Sequence, residues 1–408
     1  MSVIKPFNAL RPAADKASQV ACVPYDVIYD SEVRELVSKN PLSFLRVTRA
    51  EGEFPVGDKV SAETANGRAR QNLEQMISDH ILVKDDEEAI YVYRLTDGDH
   101  SQTGVVACFS VDEYDADIIK KHEKTRPDKV EDRTAHIIAV GAQTGLIFLA
   151  FRNTETICGL ITDAVKTKPI YDFACSAGVQ QTIWRITDTQ PWIDAFAEVP
   201  EIYIADGHHR AESAKRSRDV SLEQNPNHTG REEYNFFMAG VFPSEDLHIL
   251  AYNRVVHDLN GLSNEEFLKK LEDTFILTET TQTKPDERGN ICMYLDSSWY
   301  NLRFNVQYIR QPDPIEGLDV SILQENVLTP ILGIGDPRTD TRISFVGGGR
   351  GTAELEKMVD SSDYAVAFSM FPTTMDDLFA VSDMGEIMPP KSTWFEPKLK
   401  DGLLIHQI

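Results

Sequence analysis

Residues 201–216 read EIYIADGHHRAESAKR, and their types in that order could handle phosphate. An apolar run, Ile202 to Ala205, stops at Asp206-Gly207; His208, His209 and Arg210 follow, then a run of helix formers. A strand that turns through a glycine into a helix presents free N–H groups and a partial positive charge at the helix start, which is an anion site before any side chain is added. His208 and His209 add donors, and Arg210 can grip a phosphate through two parallel bonds. Asp206 does not suit a pure phosphate cradle, because it repels the ligand. It suits a site that also orients a metal ion or receives the proton of a hydroxyl nucleophile. The bland alternative is a helix cap made by Asp206 with exposed histidines beside it. Zinc is disfavoured, since adjacent histidines cannot face one ion from a regular helix and HExxH spacing is absent.

A second charged run, KHEKTRPDKVEDR at 121–133, sets Lys121, His122, Lys124, Arg126, Lys129 and Arg133 around Glu123 and Asp132. Cations that offset phosphate oxygens beside a carboxylate that orients Mg²⁺ or a nucleophile are what a polyphosphate tail needs. A solvated loop laced with salt bridges has the same composition. Asp26 lies in the otherwise apolar VPYDVI, where a carboxylate needs a partner or a job; an Asx turn and a ligand contact both satisfy that. In MPPKSTWFEPK at 388–398, Lys391 offers a donor, and Trp394 and Phe395 either stack on a base or pack. FVGGGRGTAEL at 345–355 lacks GK[ST] and GxGxxG and reads as a glycine turn entering a helix.

The elements that must position these residues are mixed. The pattern predicts a helix from Asp30 or Ser31 to Asn40-Pro41, and an amphipathic helix over 60–80 with Val60, Ala62, Leu73, Met76 and Ile77 inward. It predicts a hairpin turning at Asp97-Gly98, a strand then a helix over 145–166, a strand pair over 169–186 and a short helix over 190–198. Beyond a boundary near 258–263 come a helix at 263–273, a hairpin, a helix over DVSILQENVLTPIL, a strand ending in RISFVGGGRG, a helix at 352–360 and a last strand pair. Hairpins mixed with helices indicate an α+β (mixed α/β) class, with a site-bearing region at 1–260 and a C-terminal α+β domain at 261–408.

The chain has 408 residues and a net charge of −24, which disfavours nucleic acid and anionic membrane as partners. No apolar run reaches bilayer-spanning length, and the N-terminus lacks a basic segment followed by a long apolar core, so a cytoplasmic location is expected. Five dispersed cysteines, without CxxC spacing, read as free thiols. There is no GxSxG, so Ser-His-Asp hydrolysis has no support.

DGHHR resembles the signature of the ParB/sulfiredoxin-like superfamily, in which a strand–turn–helix element holds nucleotide phosphates; free-serine kinases of the archaeal type carry the same five letters. Across nearly the whole chain, the pieces IKPFNALRP, VPYDVI, NPLSFLRV, HEKT, DR at 132–133, IADGHHR, YNRVV and MPPKSTWFEPK resemble, in order, the bacterial family called domain of unknown function 1015. The resemblance implies a ParB/sulfiredoxin-like catalytic core and a kinase using ATP or ADP with Mg²⁺. Its acceptor would be a small amino acid, L-serine foremost. Gly207, His208, His209, Arg210, His122, Thr125, Arg133 and Lys391 would then contact the nucleotide. Asp206 and Glu123 would hold the metal, and Asp206, Glu123 and Asp26 would be the acids of the reaction. A nucleotide-hydrolysing regulator of ParB-like type is the alternative. The oligomeric state, monomer or homodimer, stays open.

Overall fold

In the computed structural model, residues 2–175, 178–304 and 313–408 are described. The chain is mixed α+β and forms two units: residues 1–121, 125–247 and 397–408 make the first, and 122–124 with 248–396 make the second. The sequence boundary at 260/261 falls after the strand Tyr252–Val256 and before the helix Asn264–Leu271, and Val256 and Phe267 belong to one core in the second unit. The last twelve residues return to the first unit, a long-range closure that no local pattern announces.

The first unit is built on a nine-stranded mixed sheet. Its path runs Ile119–Lys120, Ile202–Asp206, Ile147–Phe151, Phe236–Pro243, His100–Ser110, Ile90–Asp97, Gln180–Ile186, Tyr171–Ala174, with Ile4–Lys5 added against His100–Ser110. Two pairings are parallel, Ile202 with Ile119 and Gly240 with Phe148; the others are antiparallel. The expected hairpin is present, with Asp97 opposite His100 and Gly98 at φ +55°. Helices Glu155–Ala164 and Gln190–Ala197 bury Ile157, Ile161, Trp192 and Phe196 against Val105, Phe109, Leu149 and Ile202. A second core joins Leu73 and Met76 of the helix Ala62–Ser78 to Phe44, Leu45, Val140, Ala142 and Ile405. Ala62 itself is exposed, because it is the first residue of that helix and precedes the buried stripe Asn66, Ala69, Leu73, Met76. Asp30 opens the helix Asp30–Lys39 without capping it; Tyr29 occupies that place, and Glu32 accepts from its N–H at 2.9 Å.

The second unit has a six-stranded antiparallel sheet, ordered Phe275–Thr280, Ser298–Phe304, Asn290–Leu295, Val366–Ser369, Tyr252–Val256, Ile343–Gly347. Alternation along the strands splits its side chains between two cores. Val256, Met293, Val366 and Phe368 face one with Phe267 and Leu271; Val255, Cys292, Tyr294 and Ala367 face the other with Leu355 and Val359. Two local readings give way here. DVSILQENVLTPIL is a short helix, Asp319–Leu323, that widens into a π turn over Gln324–Leu328 before Pro330. The region after 366 is not a strand pair alone but includes the helix Met375–Asp383, whose Thr374–Asp377 capping box is a start signal in the sequence. All five cysteines are free thiols. Among the described residues no helix is long and apolar enough to cross a membrane.

Candidate active site

The segment IYIADGHHR folds as a strand, a turn and a helix. Ile202–Asp206 ends in a β-bulge against Ile147–Phe151, where the register shifts between Ile204 and Asp206. A bulge re-aims the next side chain, and here that side chain is Asp206. Gly207 follows at φ +95°, a left-handed conformation that a Cβ resists; the space is adequate, since an added Cβ would lie 3.5 Å from Ile147 Cα. The glycine is thus required by the backbone, not by crowding. The helix His208–Gln224 then runs for 17 residues with no side-chain cap and no acid in its first turn. Its small residues, Ala211, Ser213, Ala214 and Ser217, are buried. They allow close approach to the helix Pro127–Val140, and Ser213 Oγ donates to Val130 O at 3.1 Å.

Asp206 is not a cap in the ordinary sense. Its Oδ1 accepts the N–H of Gly207 at 2.8 Å, and its Oδ2 accepts from Lys398 Nζ at 2.6 Å, while the carboxylate keeps 41% of its surface exposed. Lys398 comes from the returning C-terminal segment and was not legible as a site residue beyond its place in MPPKSTWFEPK.

The two histidines diverge. His208 is 3% exposed, and burial lowers its pKa to about 3, so it is neutral and its ring packs inside. A donor role of the His208 side chain toward phosphate is therefore not what this ring offers; its contribution is the helix start it belongs to. His209 is half-buried, and its Nε2 accepts the N–H of Arg126 at 3.0 Å. It thereby ties the helix start to the loop that carries Thr125.

Arg210 differs from expectation more sharply. Its Nη2 donates to both carboxylate oxygens of Asp401, at 3.0 and 2.9 Å, and its guanidinium lies 5.2 Å from the centre of the Tyr25 ring. Burial acts to lower the Arg210 pKa, but Asp401 outweighs it and holds the guanidinium charged; burial raises the Asp401 carboxyl, and Arg210 offsets that only in part. Arg133 stacks on the same Tyr25 ring at 4.4 Å and pairs with Asp132 at 2.7 Å. Gly145 makes room for the pair: a Cβ there would sit 1.7 Å from Arg210 Nη1.

Tyr25, Arg133, Arg210 and Asp401 line a narrow cavity of about 30 Å³, together with His136, Thr144 and Met238. His136 is buried and pulled down to about 3 by burial. Its Nδ1 meets Asn66 Oδ1 at 3.2 Å, and its Nε2 has no partner among the described residues. An orphaned acceptor of that kind in a polar cavity is where a donor from water or ligand belongs. Asp26, next to Tyr25, is exposed and accepts no hydrogen bond among the described residues. Exposed, this carboxylate needs no buried partner, and among the described residues it closes no Asx turn. Its charge still raises the pKa of Tyr25, which burial and Asp26 push up to about 12.

His122, Glu123 and Lys391 belong to the second unit. There the HEKT and MPPKSTWFEPK pieces meet: His122 O accepts from Met388 N at 2.8 Å, and its Nε2 lies 3.4 Å from Thr393 Oγ1. His122 is buried, Glu123 half-buried, and Lys391 exposed at φ +58° with its Nζ 5.4 Å from the Tyr252 ring. Trp394 packs edge-on against Tyr252 at 5.2 Å, so its aromatic surface serves packing. The glycines of FVGGGRG form a 3₁₀ turn entering the helix Thr352–Asp360. Among the described residues no group of three His, Cys, Asp or Glu is placed to hold a metal.

A family model described as "Protein of unknown function (DUF1015)" matches residues 4–321. The chain belongs to this family. In this DUF1015 protein Tyr25, Arg133, Asp206 and Arg210 fall inside the matched range, while Asp401 and Lys398 lie beyond it. No curated protein is similar enough to match. Solved structures align loosely. A free serine kinase variant in complex with ADP is 13% identical, at a TM-score of 0.36 over 74% of this chain and 92% of its own. Truncated SbnI from Staphylococcus aureus is 15% identical, at 0.39 over 74% and 87%. A conserved hypothetical protein from Pyrococcus furiosus is 11% identical, at 0.35 over 74% and 95%. Superpositions this loose carry no functional argument, which rests on the residues above.

Proposed function

We propose that this DUF1015 protein is a nucleotide-dependent small-molecule kinase of ParB/sulfiredoxin-like type that transfers phosphate from ATP or ADP to the hydroxyl of a free amino acid, L-serine foremost. The observation that carries the reading is the join at Asp206-Gly207-His208. A bulged strand delivers a half-exposed carboxylate to the open end of a 17-residue helix that carries no acid in its first turn. Phosphates favour such a helix start through its N–H groups and dipole. Lys398 brings a cation to the same point, so the acid and the anionic ligand share a counter-charge. Asp206 then orients the attacking hydroxyl and takes its proton. Transfer of this kind asks the protein mainly for positioning and charge neutralisation.

Magnesium fits this arrangement as an ion carried in on the nucleotide. Bound there, it would offset phosphate charge, and the chain would offer it Asp206 without a preformed cage, as suits an ion that keeps most ligands from phosphate and water. The cavity between Arg133, Arg210 and Asp401 is too narrow for a nucleoside, and about a carboxylate or ammonium group in size. It suits the charged end of a small zwitterion, with His136 Nε2 as an acceptor.

The test is incubation of the protein with ATP or ADP, Mg²⁺ and L-serine, with phosphoserine read by phosphorus NMR. Phosphoserine that disappears in Asp206→Asn supports the proposal. Nucleotide hydrolysis without phosphoserine favours the regulatory alternative, and no nucleotide binding by calorimetry overturns both.

A further inference from the structure

The strand Tyr252–Val256, whose Val255 and Val256 enter apolar cores, also buries an arginine. Arg254 is 3% exposed. Its guanidinium donates to two main-chain carbonyls, those of Tyr252 and, at 3.2 Å, Lys391, and lies 5.6 Å from the centre of the Phe345 ring. Among the described residues no carboxylate pairs with it. Burial lowers it to about 10, so it remains charged at neutral pH. A buried cation held by two carbonyl dipoles and one ring face, with no counter-charge among the described residues, is costly, and such groups normally have an anion to meet.

That guanidinium lines a cavity of about 270 Å³ in the second unit. Arg338 lines it as well, exposed and without an ion pair among the described residues. Among the described residues the one acid on the wall, Asp336, has Oδ1 occupied by the main-chain N–H of Arg338 at 2.9 Å. The rest is largely apolar: Ile343, Phe345, Pro389 and their neighbours. Gln324 fixes the loop beside it by donating to the carbonyls of Ile334 and Gly335 at 3.1 and 3.2 Å. Two guanidiniums with no carboxylate partner among the described residues, on an apolar wall, match a ligand with an anionic head and an apolar body.

We propose that this cavity binds a small organic anion, its carboxylate or phosphate between Arg254 and Arg338 and its apolar body against Ile343, Phe345 and Pro389. The site lies wholly within the second unit and does not depend on the kinase reading.

Calorimetry on the full chain tests it, with phenylacetate and phenyl phosphate as probes and acetate and inorganic phosphate as their counterparts without an apolar body. At least one aromatic probe should bind saturably at one site, tenfold or more tighter than its counterpart; the tighter head group identifies the anion. Arg338→Ala, at an exposed position, should weaken that binding about tenfold, as one lost charge-assisted contact predicts. Arg254→Gln should abolish it with the circular dichroism spectrum unchanged. Absence of saturable binding by both aromatic probes overturns the proposal. So does unchanged affinity in Arg338→Ala, which decides the matter even where Arg254→Gln fails to fold.

Discussion

Replacing Asp401 by Asn tests whether the Arg210–Asp401 pair is the closure that holds the C-terminal segment to the helix His208–Gln224. The pair is nearly sealed: the Asp401 side chain is 3% exposed and that of Arg210 15%, so water screens neither well. Removing one partner of a buried pair costs about 3–5 kcal/mol, chiefly because the other charge is stranded. The amide of Asn still accepts one hydrogen bond, and Arg210 keeps some solvent, so the lower end, about 3 kcal/mol, is expected. Arg210→Met strands Asp401 instead. With its pKa already raised by burial, Asp401 escapes by taking a proton, again at a cost of about 3 kcal/mol. The double variant strands nothing. It should lose about 3 kcal/mol rather than the sum of the two, a coupling of about 3 kcal/mol.

The assay must isolate the first unit, because a chain of two units need not unfold in one step. Hydrogen-exchange protection of first-unit peptides through a urea series provides that separation. A loss below about 1 kcal/mol in Asp401→Asn, or single losses that add within about 0.5 kcal/mol, would refute the reasoning.

The remaining predictions concern the same neighbourhood. Gly145→Ala would drive a Cβ to 1.7 Å from Arg210 Nη1 and 2.1 Å from Asp401 Oδ1, so it should cost about as much as Asp401→Asn, and below about 1 kcal/mol once Arg210 and Asp401 are both Ala, in the same exchange assay. His136 and His208 both titrate near 3 when folded, against about 6.5 unfolded. The unfolded chain therefore binds the extra protons, and stability present above about pH 6.5 is lost as pH falls toward 3, at about 1.4 kcal/mol per pH unit for each histidine. His136→Gln should remove one such slope from the urea midpoint measured against pH, and an unchanged slope would contradict the buried neutral assignment. Lys398→Ala should cost little stability, about 1 kcal/mol or less because Asp206 is 41% exposed, yet weaken ATP binding by calorimetry; equal ATP affinity would remove Lys398 from the proposed site.

Local chemistry in the chain was readable where one element decides it. The strand, glycine turn and helix at 202–224, the hairpin at Gly98 and the glycine turn at 348–351 all follow from residue order. Side-chain direction was not, because it depends on partners far away in sequence. Arg210 looks like a phosphate donor until Asp401, 191 residues later, takes both oxygens to it. His208 and His209 are adjacent letters, but a helix turns them about 100° apart, so one enters the core and the other meets Arg126. Asp26 stands in an apolar stretch, yet the turn at Pro24–Asp26 sends Tyr25 inward and the carboxylate out. Lys398 and Asp401 carried no signal of their own, since a Lys or Asp near a chain end is ordinary surface composition.

Lys398 bears on the proposal for Asp206. A carboxylate ahead of a phosphate-holding helix start is repelled by its own ligand unless a cation is shared between them. In the proposed site Lys398 is that cation, 2.6 Å away and 13% exposed, delivered by the same returning segment that brings Asp401 to Arg210. One stretch, Pro397–Ile408, thus neutralises an acid at the helix start and an arginine two residues after it. Its backbone is pinned on Cys22, whose N–H and C=O bond Asp401 at 3.1 and 3.0 Å, which places Tyr25 over both arginines. Gly402, at φ +84° and with Phe44 Cβ 2.6 Å from where a Cβ would be, makes the turn that allows it. The electrostatics of the candidate site and the closure of the first unit are therefore one structure, and a variant that releases the tail should lose both together.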